Sequence, residues 1–217
     1  TARALGITPE RWVFLHGCAE AHDHWYVSER PALHRSPAIA AVSRQALAMA
    51  GRSLADMDFI DLYSCFPSAL EVACAETGLA EDDPRGLTVT GGLPFFGGPG
   101  NNYVTHSISA MMRRLRAAPG RYGLVTANGN YLTKHAWGVY ATTPTEGPWR
   151  REDPARLQAD LDRLSREDVD MAPQARWHRS HRARARPPRT SSAHAVRPLP
   201  QDPRALRRPR TPLTPPP

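Results

Sequence analysis

Cys65, His135 and a glycine-dense loop at residues 91–102 hold most of the chemistry available to this 217-residue chain. Cys65 follows a β-like run at 59–63 and precedes Pro67, which opens a helix. Such a turn joins the carboxyl end of a strand to the amino end of a helix, where α/β proteins gather their ligand groups. The helix dipole is expected to lower the Cys65 pKa and yield a usable thiolate, while simple burial of a free cysteine is the plainer alternative. His135, in the loop before the last apolar run, suits a general base or an oxyanion donor. Cys74 falls on an apolar helix face, and it and Cys18 are weaker candidates.

The loop reads GGLPFFGGPGNN, with five glycines in twelve residues. Each glycine costs about 0.5–1 kcal/mol of extra backbone entropy, so a close approach of backbone to ligand is the natural compensation. Gly91, Gly92, Gly97, Gly98 and Pro99 are therefore candidate substrate-binding positions. Asn101, Asn102 and His106 open the helix that follows, and its free N–H groups can receive an anion or a carbonyl oxygen. Asn101 also suits a plain helix cap. Asn128, in the loop before His135, joins the same set. His16, His22, His24 and His34 crowd one connection, but their spacing is not that of a zinc site, and no metal is expected.

The elements that must position these groups can be read from periodicity and punctuation. Apolar runs at 12–15, 59–63, 87–90, 122–126 and 137–141 predict five strands, with a polar connection from 16 to 35 after the first. Ser36 as cap, Pro37 at the first helical position and Gly51 as stop bound one helix, and Pro67 and Gly78 bound a second. Val104, Ile108, Met111, Met112 and Leu115 mark a one-sided helix after the glycine loop, with Arg113, Arg114 and Arg116 as a solvated stripe. The alternation predicts an α/β layered domain over residues 1–150, followed by a short polar helix or linker at 151–172.

Residues 173–217 differ in kind. They hold 11 Arg, 11 Pro and one acid, Asp202, for a formal charge of +10, and leave residues 1–172 at −3. The tail cannot bury enough apolar surface to order itself and is expected to be disordered. Its arginines could serve as an arm for nucleic acid. Since the chain has one lysine, Lys134, against 27 Arg, a frameshift in a GC-rich coding sequence explains it better, and nucleic acid is not the expected partner. Three cysteines without metal-type pairing fit a reducing, cytoplasmic setting. No apolar run approaches the ~20 residues that span a bilayer. The first residue is Thr1, and an upstream portion is expected.

Residues 1–172 resemble the carboxyl-terminal half of a thiolase, nearest the sterol-carrier-protein-type thiolases and related actinobacterial acetyl-CoA acetyltransferase-like proteins. Tyr63-Ser64-Cys65-Phe66 matches the family's His-Asp-Cys-Phe motif in its last two residues. Residues 91–99 match a Gly-Gly-x-x-x-x-Gly-His-Pro loop, with Gly98 at the catalytic His. Residues 129–140 are similar to the closing hairpin of the actinobacterial branch, with its Lys-His-x-x-Gly-Val-Tyr pattern. The resemblance implies a thiolase-like layered fold with a mixed five-stranded sheet flanked by helices. It implies an acyl-CoA acyltransferase that uses a coenzyme A thioester as substrate and no separate cofactor. Cys65 would be the acid/base thiol, Tyr63 would stand where the motif has its His, and His135 would replace the imidazole missing at Gly98. The family's nucleophilic Cys lies in its amino-terminal half, which becomes an expected partner, as does a second copy in an oligomer. A non-catalytic thiolase-like subunit that binds acyl-CoA is the alternative.

Overall fold

The computed structural model describes residues 2–166. The tail expected at 173–217, and the end of the linker before it, lie outside the described residues. A four-stranded sheet in the order β1-β4-β3-β2 forms the centre. It is built from β1 (Phe14–His22), β2 (Phe59–Asp61), β3 (Tyr122–Gly129) and β4 (Lys134–Ala141). β4 runs antiparallel to both neighbours, and β2 pairs parallel with β3, so the sheet is mixed.

Helices cover both faces. α1 (Pro37–Met49) and α2 (Pro67–Thr77) enclose the larger core, where Ile39, Val42, Ile60, Leu124, Trp137 and Val139 meet. α4 (Tyr103–Ala117) covers the opposite face through Met111 and Leu115 against Val125. α3 (Leu93–Phe96) is a single turn inside the glycine loop. α5 (Pro154–Asp162) starts at the Asp153 cap, whose carboxylate accepts from the Ala155 N–H, and sends Leu161 into the larger core.

The helix boundaries follow the local chemistry. The Ser36 hydroxyl accepts from the Ile39 N–H, Pro37 takes the first helical position, and α2 ends where Gly78 turns left-handed at φ 74°. Ala38, Ala41 and Ala46 keep the buried side of α1 small, and β1 answers with Gly17. A methyl group there would lie 2.1 Å from the Ala46 carbonyl oxygen and 2.8 Å from the Ala50 nitrogen. Helix and sheet therefore touch backbone to backbone.

The structure corrects the predicted strands in several places: β2 ends at Asp61, β3 runs on to Gly129 and β4 begins at Lys134, so Asn128 and His135 lie in paired strands and not in a loop. The segment 87–90 is not a strand, so the sheet has four strands and not five. Its Val89 N–H donates to the Asp61 carboxylate at 2.9 Å, and only the Leu87 carbonyl makes a ladder-like bond, to the Leu62 N–H. A carboxylate has replaced a strand as the acceptor. The first strand starts later than expected and runs on to His22, through residues read as a polar connection. Its pairing with β4 runs from Phe14 to His22, with a shift of register at His16, while Glu20 points to solvent, and ladder bonds override the polar composition. Of the arginine stripe, Arg113 and Arg114 are exposed, whereas Arg116 is half-buried and donates to the Arg11 carbonyl at 2.8 Å.

The Gly17 contact leaves no room for adjustment except by moving α1. Gly17→Ala is expected to destabilise the chain by about 1–3 kcal/mol, the usual cost of overpacking a well-filled core, measured as a lower midpoint in urea unfolding.

Candidate functional site

β2 ends in Asp61, and the chain then turns through Tyr63, Ser64 and Cys65 into α2. The Tyr63 N–H donates to Thr126 Oγ1 on β3 at 2.9 Å, which ties the turn to the sheet. The Ser64 hydroxyl accepts from the Leu93 N–H at 2.9 Å, which ties it to the glycine loop. Cys65 is half-buried, and the Asn128 amide nitrogen on β3 lies 3.6 Å from its sulfur. The side-chain oxygen of Asn128 is buried and has no partner among the described residues.

The shift at Cys65 runs opposite to the activation expected from its place before α2. Burial pushes its thiol pKa up, and this outweighs the bonds from the Phe66 and Cys65 N–H groups and from Asn128. The ordinary thiol pKa already lies above 7, so Cys65 is a neutral thiol at neutral pH. That is the protonation state of a proton donor rather than of a ready nucleophile. Burial also pushes the Tyr63 phenol up.

The glycine loop is held from beneath by a buried polar network. Tyr103 donates to Asp61 Oδ1 at 3.3 Å and lies 2.7 Å from the Thr90 hydroxyl, while Thr88 donates to Asp61 Oδ2 at 3.0 Å. Gly91 and Gly92 both sit at φ 96° and Gly97 at 81°, which only glycine adopts without strain. Gly98 is glycine for a different reason. A methyl group there would stand 2.6 Å from the Tyr103 Cβ and 3.1 Å from its Cα, so Tyr103 occupies the space a side chain at 98 needs. Pro99, Asn101 and Asn102 are exposed. Asn102, not Asn101, takes the cap position of α4, through its backbone carbonyl and without a side-chain bond. His106 is exposed and packs on Phe96, with ring centres 5.6 Å apart.

On the far side of Asn128, β3 turns into β4 through Asn130, Tyr131 and Leu132, with φ of 53°, 55° and 58°. Left-handed backbone costs roughly 1–2 kcal/mol per non-glycine residue. His135 follows, paired across the sheet with Asn128 and buried. Its Nε2 lies 3.2 Å from the Leu132 carbonyl oxygen, 3.3 Å from Ser36 Oγ and 3.4 Å from Asp23 Oδ2. The carbonyl oxygen and the carboxylate accept only, so Nε2 carries the proton. The Nε2 proton of His135 is thus directed at acceptors inside the protein.

The structure therefore gathers Tyr63, Cys65, Asn128 and His135 at one end of the sheet, where Tyr63, Asn128 and His135 line a small shared gap with Thr126 and Trp137. A larger cleft of about 650 Å³ opens beside it, bordered by His22, Trp25, Asn101, Asn128, Lys134 and His135. The loop residues Gly91, Gly92, Gly97, Gly98 and Pro99 do not border that cleft. Of the four crowded histidines, three go to backbone carbonyls, His16 to Thr143, His22 to Asp23 and His24 to Ser165, and His34 is exposed. Among the described residues no cluster of three metal-binding side chains forms. Sequence reasoning missed Asp23, Arg30 and Lys134. Asp23 was hidden among histidines and lies 13 residues from the Ser36 cap it serves, so local sequence carried no signal of it.

Comparison with known proteins adds two findings. The family model described as thiolase C-terminal domain-like matches residues 19–99. The solved structure of a monomeric SCP2-thiolase like protein type 1 from Mycobacterium smegmatis is similar to this chain at 44% identity and a TM-score of 0.73. The match covers 78% of this chain and 37% of that one, so the present sequence spans little more than a third of its length. No curated protein matches significantly.

Two buried aspartates flank the site with opposite effects. Asp61 is fully buried, and desolvation raises its pKa despite the bonds it accepts. At Asp23 desolvation is again the largest single effect, yet the bonds from His135, Ser36 and the Ala38 N–H together outweigh it and lower the pKa. The stability that Asp23 contributes is therefore complete above the ordinary carboxylate pKa and is lost as pH falls through its depressed folded value. Asp23→Asn should cost about 2 kcal/mol at pH 7, in the range for a hydrogen bond to a charged group. Urea unfolding at a series of pH values should show the gap to wild type shrinking below about pH 4.

Proposed function

This chain belongs to the thiolase superfamily, among the SCP2-type proteins, and we propose that it supplies an acyl-CoA-binding surface of that family without the full machinery for carbon–carbon bond chemistry. The observation that carries this reading is Tyr103 seated against Gly98. Thiolase-type acyl transfer needs a donor held at the oxyanion, and loss of such a donor typically costs about 2.7–4 kcal/mol in the transition state. By resemblance the donor would be an imidazole at position 98. Here that position has no side chain and no room for one, and His135 is turned inward to Asp23 and Leu132.

Binding has support from the groups that remain. The cleft offers Lys134, exposed, and His22 and Trp25 beside it, a combination suited to a phosphate-bearing carrier with an aromatic base. Asn128 borders both this cleft and Cys65. Its unpartnered oxygen is an acceptor waiting for a donor, such as the amide of a pantetheine arm.

A second reading keeps catalysis, with Cys65 as the thiol that moves the α-proton and a nucleophilic cysteine provided by the family's amino-terminal half. Its neutral thiol beside Asn128 favours this. In an intact relative, Cys65→Ala would then abolish turnover and leave circular dichroism unchanged. Retained turnover there removes the catalytic reading.

The purified chain is expected to bind acetyl-CoA saturably in calorimetry and to show no thiolysis of a 3-ketoacyl-CoA above the protein-free rate. Lys134→Ala should weaken binding at least fivefold, about 1 kcal/mol at an exposed charge. Appreciable thiolysis, or no saturable binding, would sink the proposal. Gly98→His should restore no activity and lower the unfolding midpoint, because the new side chain must displace Tyr103.

A further inference from the structure

The backbone between Asn128 and His135 adopts a form that its residues do not favour. Asn130, Tyr131 and Leu132 are left-handed in succession, and the Thr133 N–H closes on the Gly129 carbonyl at 3.0 Å. This is one turn of left-handed helix built without a glycine. Asparagine tolerates that region, but tyrosine and leucine rarely enter it. Short hairpin connections normally place glycine or asparagine at positive φ. Tyr131 gains no burial in exchange, since it is 84% exposed. Some other group must hold the turn.

Within the turn the Thr133 hydroxyl donates to the Asn130 carbonyl and Leu132 packs on the larger core, and the group that holds it from outside is Arg30. Its Nη1 donates to the Tyr131 and Leu132 carbonyls, both at 3.1 Å, its Nη2 to the Thr133 hydroxyl at 2.5 Å, and its Nε to the His24 carbonyl at 3.2 Å. No carboxylate pairs with it among the described residues. The whole planar fork is spent on four oxygens, three of them in the turn. The Leu132 carbonyl also receives His135, and the Thr133 carbonyl receives the Asp23 N–H at 2.9 Å.

We infer that Arg30 is a positioning residue, whose guanidinium clamps the 130–132 turn in its left-handed form and so sets Asn128 against Cys65. The mechanical link is the register of the hairpin. Asn128 pairs with His135 and Gly129 with Lys134 immediately before the turn. A turn relaxed to right-handed backbone redirects both strand ends, and Asn128 leaves the thiol it now covers. An ammonium cannot replace the clamp, because its donors radiate from one atom and cannot span four oxygens in a plane. The inference rests on the reading of Cys65 and Asn128 as ligand-facing groups.

The test is alkylation of the full chain with iodoacetamide, read separately at Cys65 and Cys18 by peptide mass spectrometry. In Arg30→Ala, Cys65 should react at least fivefold faster than in wild type, with Cys18 unchanged within twofold. Arg30→Lys should fall between the two. Glycine adopts the left-handed region freely, so Tyr131→Gly/Leu132→Gly introduced into Arg30→Ala should bring Cys65 back to within twofold of wild type. A general loosening of the fold would accelerate both cysteines and would not be rescued by glycine. An unchanged Cys65 rate in Arg30→Ala, or an accelerated rate that the glycine pair leaves in place, overturns the assignment. If Arg30→Ala does not fold, Arg30→Lys with and without the glycine pair carries the same two criteria. The readout needs no thioester, so it stands or falls apart from acyl-CoA binding.

Discussion

A carboxylate buried at the end of β1 organises this end of the molecule. Asp23 receives the Ser36 hydroxyl and the Ala38 N–H at the start of α1, and it faces His135 at the start of β4. A helix amino terminus buried against a sheet has orphan donors that must find acceptors, and a charged acceptor is the most effective one. By satisfying them, Asp23 joins the outer helix to two strands that are adjacent in the sheet but more than 100 residues apart in sequence. His135 and the turn before it then have fixed neighbours, and the position of Asn128 follows from theirs. The cost of burying the charge is met by its hydrogen bonds, which is why its pKa ends low and not high.

Asp61 plays a comparable part beneath the glycine loop with a different electrostatic balance. It takes the Val89 N–H, which keeps segment 87–90 out of the sheet, and the Tyr103 hydroxyl, which holds the start of α4. Tyr103 in turn fills the volume above Gly98. A single polar network thus reaches both segment 87–90 and the position of Gly98.

The site combines a neutral thiol, an amide with an open acceptor and a histidine whose proton points into the protein. The Nε2 proton of His135 is therefore not a donor aimed outward, of the kind that a developing oxyanion requires. Left-handed backbone at Tyr131 and Leu132 lies within the same few residues. Strain of this kind persists only where surrounding contacts over-determine it, and here they do.

Much of the architecture was legible in local chemistry. Ser36, Pro37, Pro67 and Gly78 mark helix ends because capping and φ preference act within a few residues. The Val104-to-Leu115 stripe marks α4 because periodicity is local as well. Cys65 on its turn, the glycine loop and the family resemblance were equally readable. What the sequence could not reveal depends on groups distant in the chain. The length of β1 rested on its ladder with β4, the loss of the fifth strand on Asp61, and the clamp on Arg30 meeting a turn about 100 residues away. The Cys65 pKa likewise was decided by burial rather than by its place at a helix terminus. Residue types and spacing determine which elements form and which groups are available for chemistry. Desolvation and hydrogen bonds between distant segments decide which protonation state, and which neighbour, each group receives.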